Sequence, residues 1–492
     1  MFVLHFATNV VREIYPAITL GDHFSFNVSE YMGLHPDIFE IKEGKAYINN
    51  NPGASILAAI PYTITRPLIN FVSDKVQKAR ASDPNFIHRE YDTVLHPNSK
   101  RFYKEAMERG LDVKFGLASG VIQVFCMAPL SALAAVVMFY LLLAMTRSIR
   151  LAILLSVLSA FATPVFYRTA FLNHNVLIGH FSFFSFALLW RPWDDSDQQR
   201  PSSYLLAGLL CGWTVVLDYS GIIAICSISI YAILRYLSFP RESRSIQHII
   251  LFFVGIALCG SVLIAYQWLI FGHPFYPAQH YMPHTEFSQS GYHGMTWPKL
   301  HLLFQTAFSG RYGLFTSAPI LLLFFCLPFF FRDTVQRIGG KQILFILIYG
   351  CGFFLFCAAN QFGYVQFNTG VRHIVPVTAF LFLVVAMVII QMPKVLAVLF
   401  SIISLYWSWC LAMYRDVEFG LGILEPLIRI TFEGFQLPWL STLKRMGYFQ
   451  NQPTVLPIFL ICGAVIWGIW AIKSPFKRVG CEKSLAKDDE NR

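Results

Sequence analysis

Charge is scarce in this chain. Only 13% of its 492 residues are Asp, Glu, Lys or Arg, about half the share of an ordinary soluble domain, while 55% are hydrophobic. With a mean hydropathy of +0.53, that scarcity excludes a soluble globular protein and indicates an integral membrane protein. The apolar runs are continuous and lack the alternation of lipid-facing and lumen-facing residues, which argues against a β-barrel. No Walker-type glycine motif occurs, so nothing marks a nucleotide cofactor. Cysteine is missing from the long polar segment near the start. Cys126, Cys211, Cys226, Cys259, Cys326, Cys351, Cys357, Cys410 and Cys462 lie in apolar runs and Cys481 lies in the tail, so they read as small core residues, not as a disulfide framework or a metal site. The formal charge of +10 comes from short connections and the C-terminus without a basic stripe or reading motif, which speaks for the bilayer and against nucleic acid. Internal repeats are also absent.

What is present is a series of about eleven bilayer-length apolar runs. Their centres lie near Leu130, Val157, Phe181, Leu209, Ile225, Ile256, Leu322, Ile346, Leu381, Ser404 and Val465. Arg147 and Arg150, then Arg191, then Arg235, Arg241 and Arg244, then Arg332, Arg337 and Lys341, then Lys394, then Lys473, Lys477 and Arg478 occupy alternate connections. The positive-inside rule makes those connections cytoplasmic. Tyr167 to His174, the region near Asp218, Phe271 to Leu302, Asn360 to Gly370 and Tyr414 to Pro453 then face outward. The expected fold class is all-α: a polytopic transmembrane helical bundle of about 11–12 spans with a large first extracytoplasmic loop containing short surface helices. Its domains are a remnant or truncated first transmembrane helix at 1–20, the first outer loop at 21–116, the helical domain at 117–472 with outer loops at about 272–302 and 414–453, and a cytoplasmic tail at 473–492. Within the first loop, short helices are expected near Gly53 to Phe71 and Ser99 to Arg109, with Ser73 to Pro97 between them.

Chemistry at the outer face needs a proton acceptor, a cation for an anionic substrate and a shielded cavity. The loop acids are Asp22, Glu30, Asp37 and Glu40, of which Asp22 is nearest the end of the presumed first helix; each is equally a solvated surface carboxylate. Asp218 interrupts the apolar stretch GWTVVLDYSGIIAI and is either a functional ionisable group or the cap of a helical hairpin. PVFYRTAFLNHNVLIGH carries Arg168, Asn173, His174 and, one and a half turns deeper, His180; His174 binds a substrate or bonds a backbone carbonyl, and no His, Cys or carboxylate spacing there makes a zinc site. FGHPFYPAQHYMPHTEFSQSGYHG, with Glu286 its one acid, suits stacking on a sugar or an interfacial aromatic belt. Arg311 in SGRYGLFTSAPILLL, and Arg372 with His373 in QFGYVQFNTGVRHIVPVTAFL, stand at the outer entrances of two spans. There they clamp a lipid phosphate or snorkel to the interface.

Four of these segments, in order, resemble polytopic glycosyltransferases of the GT-C class, the superfamily of protein mannosyltransferases and lipid A aminoarabinose transferases. YINNNPGASILAAIPY is similar to its first-loop pattern, FYRTAFLNHNVLIGH to its third-connection pattern, and LLAGLLCGWTVVLDYSGI and SGRYGLFTSAPILLL, followed by QFNTGVRHIVPVTAFL, to later ones. The likeness runs from about Val10 to Leu383. It implies a multi-pass protein of the bacterial inner membrane that moves a sugar from a polyprenyl-phosphate donor to an acceptor at the outer face, with no nucleotide-binding loop needed and no cofactor expected. By that likeness Asp22 is the base, although aligning the aromatic residues instead puts Asn27 at that position. Arg311 and Arg372 stabilise the leaving phosphate, and His373, His174, Asp218 and Asn50 join the substrate-binding set. Asn50 stands where relatives commonly carry Lys. A transporter or flippase of a lipid-linked or small polar substrate, and a non-catalytic membrane protein of the same fold, are the other readings.

Overall fold

The computed structural model describes residues 1–7, 12–83, 91, 97–193, 200–241, 244–283, 290–311, 313–361, 372–414 and 420–471. Glu286, most of the 360–370 connection, much of the 73–97 stretch and the 473–492 tail fall outside these residues.

The chain begins with turns and a short helix, α1 (Ile14–His23). Ten residues span about 15 Å, half the thickness of a bilayer core, so α1 is no crossing helix. An antiparallel hairpin follows, β1 (Ile38–Lys42) with β2 (Lys45–Ile48), pairing Ile38 with Ile48. Sequence reading gave no sign of it. Then come α2 (Gly53–Ser82), α3 (Pro97–Glu108), α4 (Asp112–Ile122), α5 (Ala128–Thr146), α6 (Ile149–Phe161), α7 (Pro164–Arg168), α8 (His174–Trp190), α9 (Pro201–Leu217), α10 (Gly221–Tyr236) and α11 (Ile246–Phe271). The second half holds α12 (Leu300–Phe308), α13 (Leu314–Ser317), α14 (Phe331–Ile338), α15 (Gly340–Ala359), α16 (Thr378–Gln391), α17 (Lys394–Met413), α18 (Leu424–Glu433), α19 (Pro438–Arg445) and α20 (Leu456–Ala471).

Among the described residues five continuous helical stretches are long and apolar enough to cross a membrane: Asp112–Thr146, Ile246–Phe271, Pro319–Ile338, Gly340–Ala359 and Lys394–Met413. Shorter apolar helices, including Ile149–Phe161, Pro201–Leu217, Gly221–Tyr236, Val375–Gln391 and α8, cover the remaining expected centres, and Val465 falls in α20. Each of the eleven apolar runs is therefore helical. The core follows from composition: α16 reads TAFLFLVVAMVIIQ, apolar on every side, and its residues from Phe380 to Val388 are buried. Helix α8 lies beside it, buried along most of its length. Peripheral helices expose apolar faces, such as Trp268 and Leu269 on α11, as lipid-facing surfaces do. The cysteines divide the same way. Cys126, Cys211, Cys259, Cys357 and Cys410 are buried, whereas Cys226 and Cys351 are exposed on helix surfaces.

Helices α9 and α11 cross closely because Gly208 and Gly255 meet the facing backbones; a Cβ at Gly208 would collide with the Phe252 carbonyl. In the first loop, α2 runs to Ser82, beyond the expected end at Phe71. Its last turns are held from outside: Gln77 Nε2 donates to the Gly110 carbonyl at 3.0 Å, and Arg80 makes a two-pronged bond to Asp112, both distances 2.8 Å.

Connections expected on opposite sides are segregated. Arg337 donates to the Met145 carbonyl and Lys341 to the Ser238 hydroxyl, joining three arginine-rich connections at one end. The N-terminus of α8, the C-terminus of α9 and the residues before α16 gather at the other end, around Arg12 and Glu13.

Candidate functional site

The site is built where α1 begins. Arg12 Nη1 donates to Asp37 Oδ2 at 2.8 Å and to Asn49 Oδ1 at 2.9 Å, and its Nε lies 3.7 Å from Glu13 Oε1. Glu13 is nearly sealed from solvent and accepts from His174 Nδ1 at 2.5 Å. The Asn175 side-chain nitrogen lies 3.0 Å from His174 Nε2. Because an amide nitrogen only donates, Nε2 is the accepting ring nitrogen and Nδ1 carries the proton offered to Glu13. His35 Nδ1 accepts the Asp37 backbone N–H at 3.1 Å. Two helix starts set this geometry: Asn173 caps α8 by accepting from the backbone of Asn175 and Val176, and Ser55, in the first turn of α2, donates to the Glu13 carbonyl at 2.7 Å.

Electrostatics binds the set together. Burial alone would raise the Glu13 carboxyl pKa, but the hydrogen bond from His174 and the charges of Arg12 and Arg372 hold it well below the usual carboxylate range. Burial likewise opposes ionisation of Asp37, and Arg12 overcomes it, with His35 and Arg372 adding, so Asp37 is also lowered. Arg372 is lowered by burial and by Arg12, while Glu13, Asp37 and Asp218 pull the other way. Burial, then the charges of Arg372, Arg12 and Arg168, push His373 well below an ordinary histidine.

Three of the sequence-derived candidates therefore share this neighbourhood, Arg372, His373 and His174, and the field of a fourth, Asp218, reaches it. Asp218 ends α9 and braces the turn before α10, its Oδ1 accepting from the Ser220 backbone at 2.9 Å; the N-cap of α10 is Ser220, which makes no side-chain cap bond. Among the described residues the Arg372 side chain makes no hydrogen bond and no ion pair, and His373 Nδ1 is buried without a partner.

Asp22 sits elsewhere, nine residues and about 13 Å along α1 from Glu13. Both its oxygens are engaged: Lys114 Nζ lies 2.6 Å from Oδ2, and the Tyr62 hydroxyl lies 3.0 and 3.2 Å from the pair. Arg66 donates to the adjacent Gly21 carbonyl at 2.6 Å. Arg311 is exposed between α12 and α13, and no contact among the described residues joins it to Arg372. Asn50 is buried beside the site, its side-chain nitrogen 3.3 Å from the Asn51 carbonyl and its Oδ1 unpartnered. Asn27 is a loop brace that accepts from Ser29 and from the Ala46 backbone. His180 bonds Ser131 at 2.8 Å within the bundle. Among the described residues no three His, Cys, Asp or Glu side chains form a group that would hold a metal ion.

Sequence reasoning missed Arg12 and Glu13 as site residues and gave Asp37 no priority among the loop acids. The available signal was a charged pair interrupting an apolar run, VVREIYPAITL, which in a membrane protein is a functional-site indicator by itself.

The first-loop motif is also explained. Asn51 donates to the Val215 carbonyl at 2.7 Å, and a Cβ at Gly53 would lie 2.6 Å from the Val216 carbonyl oxygen. The N-N-P-G stretch is thus the seam where α2 lies against the end of α9. It carries the Asn49 amide to Arg12.

Fold and apolar helices together define a multi-pass helical membrane protein. No protein-family model and no curated protein matches the chain. Among solved structures, ArnT from Cupriavidus metallidurans in the apo state is similar with a TM-score of 0.42 and 11% identity, over 83% of this chain and 59% of ArnT. The chain thus spans less than two thirds of that protein's length.

Proposed function

We propose that this protein is a membrane glycosyltransferase of the GT-C class that moves a sugar from a polyprenyl-phosphate donor to an acceptor hydroxyl or amine at the extracytoplasmic face. One observation carries the reading: a half-buried guanidinium, Arg372, without a partner among the described residues, beside acids already committed to Arg12 and His174. An unanswered cation in that position calls for an anionic ligand, and a lipid phosphate meets it with bidentate geometry.

The reaction is a single inverting displacement. The acceptor heteroatom attacks the anomeric carbon, the bond from that carbon to the phosphate oxygen breaks, and the polyprenyl phosphate leaves against Arg372. The acceptor proton passes to a carboxylate. We assign that role to Asp37: its side chain is part-exposed, Arg12 holds only Oδ2, and Oδ1 makes no hydrogen bond among the described residues. Glu13, sealed and bonded to His174, orients Arg12. Asp22, the base suggested by the sequence likeness, has both oxygens occupied by Lys114 and Tyr62 and serves better as a brace.

The deciding assay uses membranes and a panel of undecaprenyl-phosphate-linked sugars, comparing Asp37→Asn with Asp22→Asn at matched expression. Loss of transfer in Asp37→Asn, by about 100-fold or more, with transfer retained in Asp22→Asn supports the assignment. The reverse pattern makes Asp22 the base. Accumulation of labelled sugar lipid inside vesicles without any glycosylated product overturns the enzyme and favours a flippase.

A further inference from the structure

The opposite end of the bundle carries a second cationic group that sugar transfer does not use. Helix α10 ends at Tyr236 and α15 begins at Gly340, and the two helices pack together. Around their shared end, the Arg235 guanidinium carbon lies 4.6 Å from the centre of the Phe239 ring, and Arg235 Nε is buried without a hydrogen-bond partner. Among the described residues Lys341 Nζ is met only by the Ser238 hydroxyl. Arg244 is spent on the backbone, donating to the Phe239 and Leu237 carbonyls at 2.7 and 2.6 Å, which fixes the 237–239 turn beneath the other two cations. Among the described residues no carboxylate pairs with Arg235, Arg244 or Lys341; Asp333 on the neighbouring α14 is exposed and unpaired.

We propose that this cationic end is a binding site for one anionic phospholipid, its phosphate held by Arg235 and Lys341, with the Ser238 hydroxyl, which itself donates to the Leu234 carbonyl, positioning Lys341. Two independent features select a lipid over a soluble anion. The first is charge: two cations meet at the 237–239 turn with no acid among the described residues to answer them, and a buried orphan Nε is costly until an anion approaches. The second is continuity with apolar surface. Ile230 and Ile233 on α10, Leu237 just past its end, and Leu344, Leu347 and Ile348 on α15 are all exposed, so the wall leading away from the cations is hydrocarbon-facing and suits acyl chains. Phe239 fixes the guanidinium plane by a cation–π contact, holding its remaining donors ready for phosphate oxygens. A free phosphate would use the cations but leave that wall idle.

Full-length protein in neutral detergent is titrated with phosphatidylglycerol, phosphatidylcholine or inorganic phosphate while thermal unfolding is followed. Phosphatidylglycerol is expected to raise the midpoint by about 4 °C or more, with at most a quarter of that shift from phosphatidylcholine and none from millimolar inorganic phosphate. The Arg235→Gln, Lys341→Gln double variant should need about tenfold more phosphatidylglycerol for the same shift. Arg147→Gln with Arg150→Gln, on another connection at the same end, should respond as the unaltered protein does. Equal shifts from both lipids, an unchanged response in the double variant, or a full shift from inorganic phosphate would each overturn the site. Should the double variant not fold, Lys341→Gln alone is expected to weaken the response threefold or more, and an unchanged response there overturns the proposal equally.

Discussion

Helix α1 carries an ionic cluster at each end, and the two are organised differently. At its C-terminal end Asp22 is answered on both oxygens by Lys114 and Tyr62, and Arg66 ties the adjacent Gly21 carbonyl to α2. At its N-terminal end Arg12 pairs with Asp37 and His174 with Glu13, yet Arg372 lies close enough to feel three carboxylates and pairs with none of them among the described residues. Both clusters join segments distant in sequence. Only the second leaves charge unanswered, and a closed cluster stabilises a fold whereas an open one awaits a ligand.

The largest expected effect therefore falls on Arg372. Arg372→Ala should lower transfer by roughly 100- to 1000-fold, the scale of removing one preorganised donor at a developing anion. Its thermal midpoint should change little, because no described partner is orphaned. A drop in stability as large as the drop in activity would instead make Arg372 a structural residue and erase the contrast between the ends of α1.

At the other end the balance should invert. Asp22→Asn leaves Lys114 without its counter-ion, in a pair whose carboxylate side chain is only 8% exposed, and should cost about 1–3 kcal/mol. That appears as a lower unfolding midpoint in detergent with transfer per folded molecule nearly unchanged. Lys114→Met with Asp22→Asn together should recover part of the loss, since no charge is then left unanswered.

The architecture was far more legible in the sequence than the site. Eleven apolar runs gave eleven helices because bilayer-length hydrophobicity is local and needs no knowledge of partners. The continuation of α2 past Phe71 was hidden because its support comes from Gly110 and Asp112, more than thirty positions on. For the same reason the likeness pointed to Asp22 while the geometry groups Arg372 with Asp37. Arg12 finds Asp37 across 25 positions, and Glu13 finds His174 across 161. No spacing rule links such residues, and only the fold brings a charged pair at the start of α1 to the N-terminus of α8. Arg372 and His174 were visible as helix-entrance residues, but their common neighbourhood was not.

The smallest expected effect, and the most specific, is on pH. His35 and His373 are both lowered from an ordinary value of 6.5 by burial, with Arg12 and Arg372 adding like charge. A group depressed in the folded state favours folding above its unfolded pKa, and that stability is lost as pH falls. The midpoint should therefore decline as pH drops through about 6.5, then decline again below about pH 4, where Glu13 and Asp37, also depressed, must take up protons in the unfolded chain. Replacing Asp37 by Asn removes one of the lower titrations and takes a favourable charge away from His35, so the lower step should shrink while the upper one stays or deepens. Asp22→Asn should leave the upper step untouched, because Asp22 acts at the far end of α1 and is not among the groups that act most on either histidine. A change of the upper step in Asp22→Asn would mean that the two clusters titrate as one, and the separation along α1 would fail as an explanation.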